Sequence, residues 1–238
     1  MKDLKHLIYF EDLLQEANNE LVRKGKEDGN LCLGYTCYFM PEVLLDLPGC
    51  FAVRLRAPKC TSPDMASYYM SGRTCHYGRS LLERALEGGY NFIDAQLATE
   101  TCTVTCRFQE HLGYMDGVIN NATFKLSFTD VPFKKNENSI DHYRKQLKIH
   151  VLDFLEREFG VDVSDEAILK SIEINNEVND IITEIGNFRK LPNPPITGYE
   201  FHVLCLATYV CPSALLLDLL RETLEELIDM DNEPVLRA

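Results

Sequence analysis

The first half of the chain alternates short apolar runs with segments of helical periodicity. Apolar side chains at helical spacing predict an N-terminal helix over residues 4–22, which the glycine-containing stretch 24–29 ends. Apolar runs bounded by turn residues predict four strands, at 31–35, 51–55, 92–98 and 123–128. Helical segments at 81–86 and 108–115 separate the later strands. Since strands that alternate with helices favour a parallel sheet with helices on its faces, the pattern predicts a Rossmann-like α/β fold.

The second half has helical periodicity and no strand signal. A polar stretch at 134–138 leads into an amphipathic helix over 140–159, which Gly160 ends. Ser164 is placed to cap a helix that reaches residue 185. After a proline-rich break, two further helices are predicted at 198–208 and 212–229. The domain boundaries predicted from the whole pattern are an N-terminal helix (1–30), an α/β domain (31–133) and a helical region (134–238).

The charge balance narrows the range of partners. The chain has 37 acidic and 24 basic residues, a formal net charge of -13, and this repels the phosphate backbone of nucleic acids. It has nine cysteines, and it begins without an apolar segment of the signal-peptide kind. No stretch is expected to span a membrane. The expected setting is the cytoplasm, where cysteines are thiols, metal ligands or buried apolar groups rather than disulfides.

Two cysteines occupy positions that suit an anionic ligand. Cys75 lies just before a predicted helix, and Cys102 lies just after the strand predicted at 92–98. Free backbone N–H groups and the positive dipole end of a helix lower the pKa of a thiol, and thiolates are the usual ligands of iron–sulfur clusters. The CxxxC spacing of Cys102 and Cys106 matches no zinc signature. Residue chemistry alone leaves buried, unreactive cysteines as the alternative.

Other candidate residues lie near these cysteines in the sequence. Cys37 follows the first strand and could line a site at that strand end, although packing explains it equally well. Arg54, Arg79 and Arg107 could bind the phosphates of a nucleotide-like substrate, the alternative being ordinary ion pairs with surface carboxylates. The sequence has no glycine-rich nucleotide fingerprint, P-loop, GxSxG or HExxH motif, so it gives no support to a hydrolase or an NAD enzyme.

A series of short motifs runs through the chain in a distinctive order. Residues 34–42 (GYTCYFMPE) and 51–55 (FAVRL) open it, and 74–80 (TCHYGRS), 101–107 (TCTVTCR) and 194–200 (PPITGYE) continue it. In order and spacing these motifs resemble the amino-terminal part of subunits in the 2-hydroxyacyl-CoA dehydratase and benzoyl-CoA reductase family, of the 2-hydroxyglutaryl-CoA dehydratase D-component kind. The resemblance runs from about residue 30 to the end of the chain.

This resemblance implies a 4Fe-4S cluster held by three cysteines. Cys75 and Cys102 match two of them, and the resemblance places the third in a second α/β domain beyond Ala238. Residues 233–238 look like a linker that approaches a new strand. The implied substrate is an acyl-CoA thioester, from which water is eliminated through a ketyl radical after an ATP-dependent activator has supplied one electron. The expected assembly is a heterodimer with a related second subunit.

The resemblance has a second departure besides the third ligand beyond Ala238, and it leaves two alternatives open. Thr103 follows the second cysteine, where the family usually has an aspartate. One alternative is a benzoyl-CoA reductase-like or atypical cluster reductase subunit. The other, from a different class, is a non-catalytic electron-transfer or partner subunit.

Overall fold

The computed structural model of the protein describes residues 4–115 and 118–230. Within this part of the chain the four predicted apolar runs form one parallel sheet with the strand order β2-β1-β3-β4. The strands are β1 (Leu31–Tyr35), β2 (Cys50–Arg54), β3 (Ala95–Glu100) and β4 (Lys125–Asp130). The predicted parallel α/β sheet of about four strands is therefore confirmed. The two inner strands, β1 and β3, are almost entirely buried, as expected for strands covered on both faces.

The α-helices of the described residues surround this sheet and then continue into the helical region. Their bounds are α1 (Leu7–Leu13), α2 (Glu20–Glu27), α3 (Ala66–Tyr69), α4 (His76–Leu86), α5 (Thr103–Tyr114), α6 (Glu137–Leu147), α7 (Asp153–Phe159), α8 (Asp165–Asn187), α9 (Gly198–Val210) and α10 (Ser213–Met230). Short 3-10 turns at Glu42–Leu44 and Phe188–Lys190 and a π-helical turn at Lys148–Leu152 complete the list.

Each face of the sheet has its own apolar core. On one face, Phe51 and Val53 of β2 belong to a buried cluster with Leu81 of α4 and Phe108 of α5. On the other face, side chains of β1 and β3 pack with Val151 of the π-helical turn and with residues of α7. The strands contribute to both cores because successive side chains of a pleated strand point to opposite faces of the sheet.

The single N-terminal helix predicted over 4–22 is wrong. Helices α1 and α2 are separated because the Asn19 side chain accepts a hydrogen bond from the Val22 N–H, 3.0 Å away, and so starts α2 afresh. The same side chain donates to the Val210 carbonyl at the end of α9. The buried side chains of α1 belong to the core of the helical region, together with residues of α8, α9 and α10.

The helical region agrees with the predicted elements except for one turn. The helix predicted over 140–159 is interrupted by the π-helical turn, where the Ser127 hydroxyl of β4 donates to the His150 carbonyl at 2.7 Å. Gly160 ends α7 in the left-handed conformation with φ 68°, and the Ser164 side chain caps α8. The predicted end of one helix and start of the next are thus confirmed.

Candidate functional site

The carboxyl ends of the four strands meet at one edge of the sheet, because all the strands are parallel. The chain leaves β1 at Thr36 and Cys37, and it leaves β3 at Thr101 and Cys102. The loops that follow β1 and β3 are in contact, because the Thr101 hydroxyl donates a hydrogen bond to the Cys37 sulfur at 3.4 Å. Ligand sites of open α/β sheets form at such an edge. The structure therefore brings Cys37 beside the segment that carries Cys102.

Cys102 is an exposed free thiol at the N-cap of α5. The backbone N–H groups of Thr105 and Val104 stabilise its thiolate and hold the pKa of Cys102 below its ordinary value, against a smaller opposing effect of burial. A thiol at the start of a helix is a better ligand and nucleophile than an ordinary surface thiol, because more of it is deprotonated at neutral pH.

Cys75 has the equivalent position on the neighbouring helix. It is an exposed free thiol at the N-cap of α4. The two helices pack against each other at Gly78, where an added Cβ would lie only 2.3 Å from Cγ1 of Val104. Glycine at this position lets the first turns of α4 and α5 pack together. Cys75 and Cys102 therefore begin two helices whose first turns are in contact.

Gly78→Ala is expected to destabilise the protein by about 1–3 kcal/mol, because the new methyl group overlaps the Val104 side chain. Adding Val104→Ala should recover most of this loss, since the next nearest atom, the Val104 carbonyl oxygen, lies at an ordinary 3.4 Å. Urea unfolding of the two single variants and the double variant tests this. Gly72→Ala is the control, because no atom lies within 4 Å of a Cβ built there. Additive losses in the double variant would contradict the proposed contact.

The lowered pKa of Cys102 predicts the pH range in which this thiol reacts with alkylating reagents. A folded pKa below the unfolded one means that the thiolate persists to lower pH in the folded protein. Alkylation of Cys102 by iodoacetamide, followed by peptide mass spectrometry, should therefore reach half its maximal rate at a lower pH in the folded chain than in the urea-unfolded chain. Identical midpoints in the two states would show that the start of α5 does not stabilise the thiolate.

The predicted arginines have different surroundings. The guanidinium of Arg54, at the end of β2, lies over the Tyr209 ring at 5.6 Å from its centroid. Arg79 donates to the Thr74 carbonyl at 3.2 Å and so braces the turn that precedes Cys75. Arg107 is exposed and pairs with Glu110 at 2.6 Å along α5. A role for any of them in phosphate binding stays a prediction.

A cavity of about 500 Å³ at the same edge was not predicted from the sequence. We call it the carboxyl-edge groove, and its lining residues are Phe39, Thr101, Val131, Pro132, Phe133, Lys134, Lys135, Ser139, Ile140 and Tyr143. It lies between the loops that follow β1, β3 and β4 and the first turns of α6. The sequence signal that could have indicated this groove is an aromatic residue followed by two lysines just after Pro132. That stretch was instead interpreted as the end of a strand and a polar linker.

The two thiols suit a soft metal or an iron–sulfur cluster, because both are free and exposed at helix starts. For such a group, two thiols alone would be an incomplete set of ligands. Across residues 4–115 and 118–230, no three histidine, cysteine, aspartate or glutamate side chains are grouped so that they could hold a metal ion. None of the helices in these ranges is long and apolar enough to cross a membrane.

The fold and this edge define the class of protein: a parallel α/β domain in which two packed helices each begin at an exposed cysteine, followed by a helical region. The family model described as "2-hydroxyglutaryl-CoA dehydratase, D-component" matches residues 37–237, and the chain belongs to this family. Both Cys75 and Cys102 lie within the match. The family resemblance found from the motifs is thereby confirmed.

One curated protein gives a more particular comparison. The (R)-phenyllactyl-CoA dehydratase beta subunit of Clostridium sporogenes is 23% identical over 186 residues, which cover 74% of this chain and 46% of that protein. The chain thus spans about half the length of the curated relative that it matches.

Proposed function

We propose that this chain is the cluster-binding amino-terminal part of a subunit of a 2-hydroxyacyl-CoA dehydratase. The complete enzyme would eliminate water from an acyl-CoA thioester by a radical mechanism. The observation that carries the proposal is the pair of helix starts at Cys75 and Cys102, packed together at Gly78 inside the segment that matches the family.

In this proposal Cys75 and Cys102 would be two of the protein ligands of a 4Fe-4S cluster. The cluster supplies one-electron chemistry when bound. The backbone N–H groups at the starts of α4 and α5 offset its negative charge, as they do for the Cys102 thiolate. The third thiolate comes from a second α/β domain beyond Ala238. That placement is supported by the greater length of the curated relative, of which this chain covers 46%.

The proposed assembly has a related second subunit and an ATP-dependent activator, in the cytoplasm. The names of the family and of the curated relative support a multi-subunit enzyme, because the family is that of a D-component and the relative is a beta subunit. The acidic surface also argues against a nucleic-acid partner.

One observation favours a second candidate, a subunit that carries electrons and does not bind substrate. Thr103, at the first turn of α5, replaces the aspartate expected from the family pattern. A subunit without that carboxylate could still hold a cluster through its cysteines.

The two candidates differ in an assay of the protein extended past Ala238, supplied with its second subunit, the activator, ATP and a 2-hydroxyacyl-CoA. The dehydratase proposal predicts formation of the unsaturated acyl-CoA, and no water loss above background would count against it. Substitution of the candidate site residues then shows whether this chain binds substrate or only carries electrons. If changes at Cys37 and Thr103 leave turnover unaltered while Cys102→Ser stops it, the chain carries electrons and the partner subunit binds the substrate.

A further inference from the structure

Cys106 is a cysteine for which the proposed cluster site has no use. It lies four residues after Cys102, at the start of α5, and its thiol is free and partly exposed. Among the nine cysteines of the sequence, only Cys102 and Cys106 are three or four residues apart. Residues at this spacing are neighbours on one face of a helix. The fold therefore brings these two thiols together on one turn of α5.

The Cys106 side chain points back toward the segment that carries Cys102. Its thiol donates a weak hydrogen bond to the Thr99 carbonyl, at a sulfur–oxygen distance of 3.8 Å, and Thr99 lies near the end of β3. Helical side chains generally point in this direction, toward the start of their helix. The Cys106 N–H also donates to the Cys102 carbonyl at 2.9 Å. The Cys106 sulfur is thus held beside residues 99–102.

A disulfide between the two residues needs only a local movement. Cα atoms one helical turn apart are separated by about 6 Å, within the range of about 4.4–6.8 Å found in disulfides. Their Cβ atoms are about 5–6 Å apart, and a disulfide brings them to about 4 Å. Cys102 precedes the first helical residue and has extended backbone angles, φ -139° and ψ 121°. Its side chain can therefore move toward Cys106 while the rest of α5 keeps its hydrogen bonds.

Cys75 provides a comparison within the same protein. It is also an exposed thiol at the start of a helix. The residue one turn further along α4 is Arg79, whose guanidinium donates to the Thr74 carbonyl at 3.2 Å. An oxidised Cys75 therefore has no second thiol on its own helix, whereas an oxidised Cys102 has Cys106.

We propose that Cys102 and Cys106 form a reversible disulfide when the cluster-free chain reacts with a peroxide. The Cys102 sulfur attacks one oxygen of hydrogen peroxide, the O–O bond breaks and one water leaves, which makes a sulfenic acid. The Cys106 sulfur then attacks the Cys102 sulfur, the S–O bond breaks, and the hydroxyl group leaves with the thiol proton as a second water. The two sulfurs together lose two electrons, and the peroxide gains them.

This disulfide would keep Cys102 in a recoverable state. A sulfenic acid without a nearby thiol can be oxidised further to sulfinic and sulfonic acids, which thiols do not reduce. An exposed disulfide is readily reduced, because an attacking thiol can reach it. If Cys102 is a cluster ligand, the disulfide removes it reversibly from the ligand set. This last consequence rests on the proposed function, whereas the disulfide itself does not.

Peptide mass spectrometry of the cluster-free 238-residue chain tests the proposal, after hydrogen peroxide treatment and alkylation with iodoacetamide. Trypsin releases Cys102 and Cys106 in one peptide, residues 85–107, and Cys75 in another, residues 74–79. Peptide 85–107 should lack both alkyl groups and be lighter by two hydrogen atoms. Dithiothreitol added before alkylation should restore both alkyl groups on it. Under the same treatment Cys75 should advance to sulfinic and sulfonic acids that dithiothreitol does not reverse.

Two variants identify the thiol that reacts with oxidised Cys102. In Cys106→Ser, the fraction of Cys102 recovered by dithiothreitol should fall to that of Cys75. Cys37→Ser is the control, because the Cys37 sulfur accepts from the Thr101 hydroxyl at 3.4 Å and is the rival partner for Cys102. This variant should form the disulfide as the unaltered chain does. Circular dichroism establishes that both variants are folded.

Three results would overturn the proposal. One is a peptide 85–107 that carries two alkyl groups or a sulfinic acid after peroxide treatment. Another is a disulfide that joins Cys102 to Cys37 or to a second chain, seen as cross-linked peptides or as a dimer on a non-reducing gel. The third is undiminished recovery of Cys102 in Cys106→Ser.

The outcome is independent of the proposed function. Iron content is measured on the protein extended past Ala238, whereas the disulfide is measured on the cluster-free chain. A disulfide without any cluster in the extended protein would remove the dehydratase proposal and leave the thiol pair. A cluster in the extended protein without the disulfide would do the reverse.

Discussion

Replacement of either Cys75 or Cys102 by serine is expected to abolish cluster retention in the protein extended past Ala238. A cluster ligated by three cysteines cannot be held firmly by two, and serine is a poor ligand for iron compared with a thiolate. Both residues cap helices whose first turns are in contact, so their loss removes ligands and no buried packing. Anaerobic reconstitution, followed by measurement of absorbance and iron content, gives the result.

Cys60 and Cys205 provide the controls for this experiment. Both are free and partly exposed, and neither lies at a helix start. Cys60→Ser and Cys205→Ser should keep the iron content of the unaltered protein. Full iron content in the Cys75→Ser or Cys102→Ser variant would remove that residue from the proposed ligand set.

The second large effect is expected at Asp46, in the loop between β1 and β2. One carboxylate oxygen accepts from the Ala52 N–H of β2 at 2.7 Å. The other accepts from the Ser213 hydroxyl at 2.8 Å and from the Asn175 amide at 3.2 Å. A single side chain thus ties the sheet to α8 and to the start of α10.

Asp46→Ala should lower the free energy of unfolding by about 3 kcal/mol, because three donors in a partly buried place lose a charged acceptor. The measurement is the urea midpoint with an unchanged slope. Asp180→Ala is the matched control, since Asp180 is exposed on α8 and surface substitutions cost at most a few tenths of a kcal/mol. Equal losses at both positions would mean that Asp46 does not join the two halves.

The sheet could be predicted because its strands are short apolar runs between turn residues. The predicted strand bounds differ from the observed ones by a few residues. The largest difference is that β3 begins at Ala95 and not at 92, because residues 90–93 form a turn in which the Ile93 N–H donates to the Tyr90 carbonyl at 3.1 Å. The break between α1 and α2 was missed although Asn19 is a favourable cap residue. The apolar spacing ran through it, and the cap is reinforced by the distant Val210 carbonyl.

The candidate site could be predicted only in part. A cysteine before a helix is visible in the sequence, so Cys75 and Cys102 could be singled out. The contact between the two helices that begin at these cysteines depends on the packing of Gly78 against Val104, and no local sequence pattern reveals that packing. The same applies to Arg54, whose guanidinium lies over a tyrosine of α9, and to the carboxyl-edge groove, which three loops and a helix form together.

The central claim is that Cys75 and Cys102 are two ligands of a cluster completed from beyond Ala238. Its most direct test is the iron content after anaerobic reconstitution of the 238-residue chain and of a version extended past Ala238. The account predicts a stable cluster in the extended protein and none that survives gel filtration in the shorter chain. A stable, stoichiometric cluster on residues 1–238 alone would contradict it.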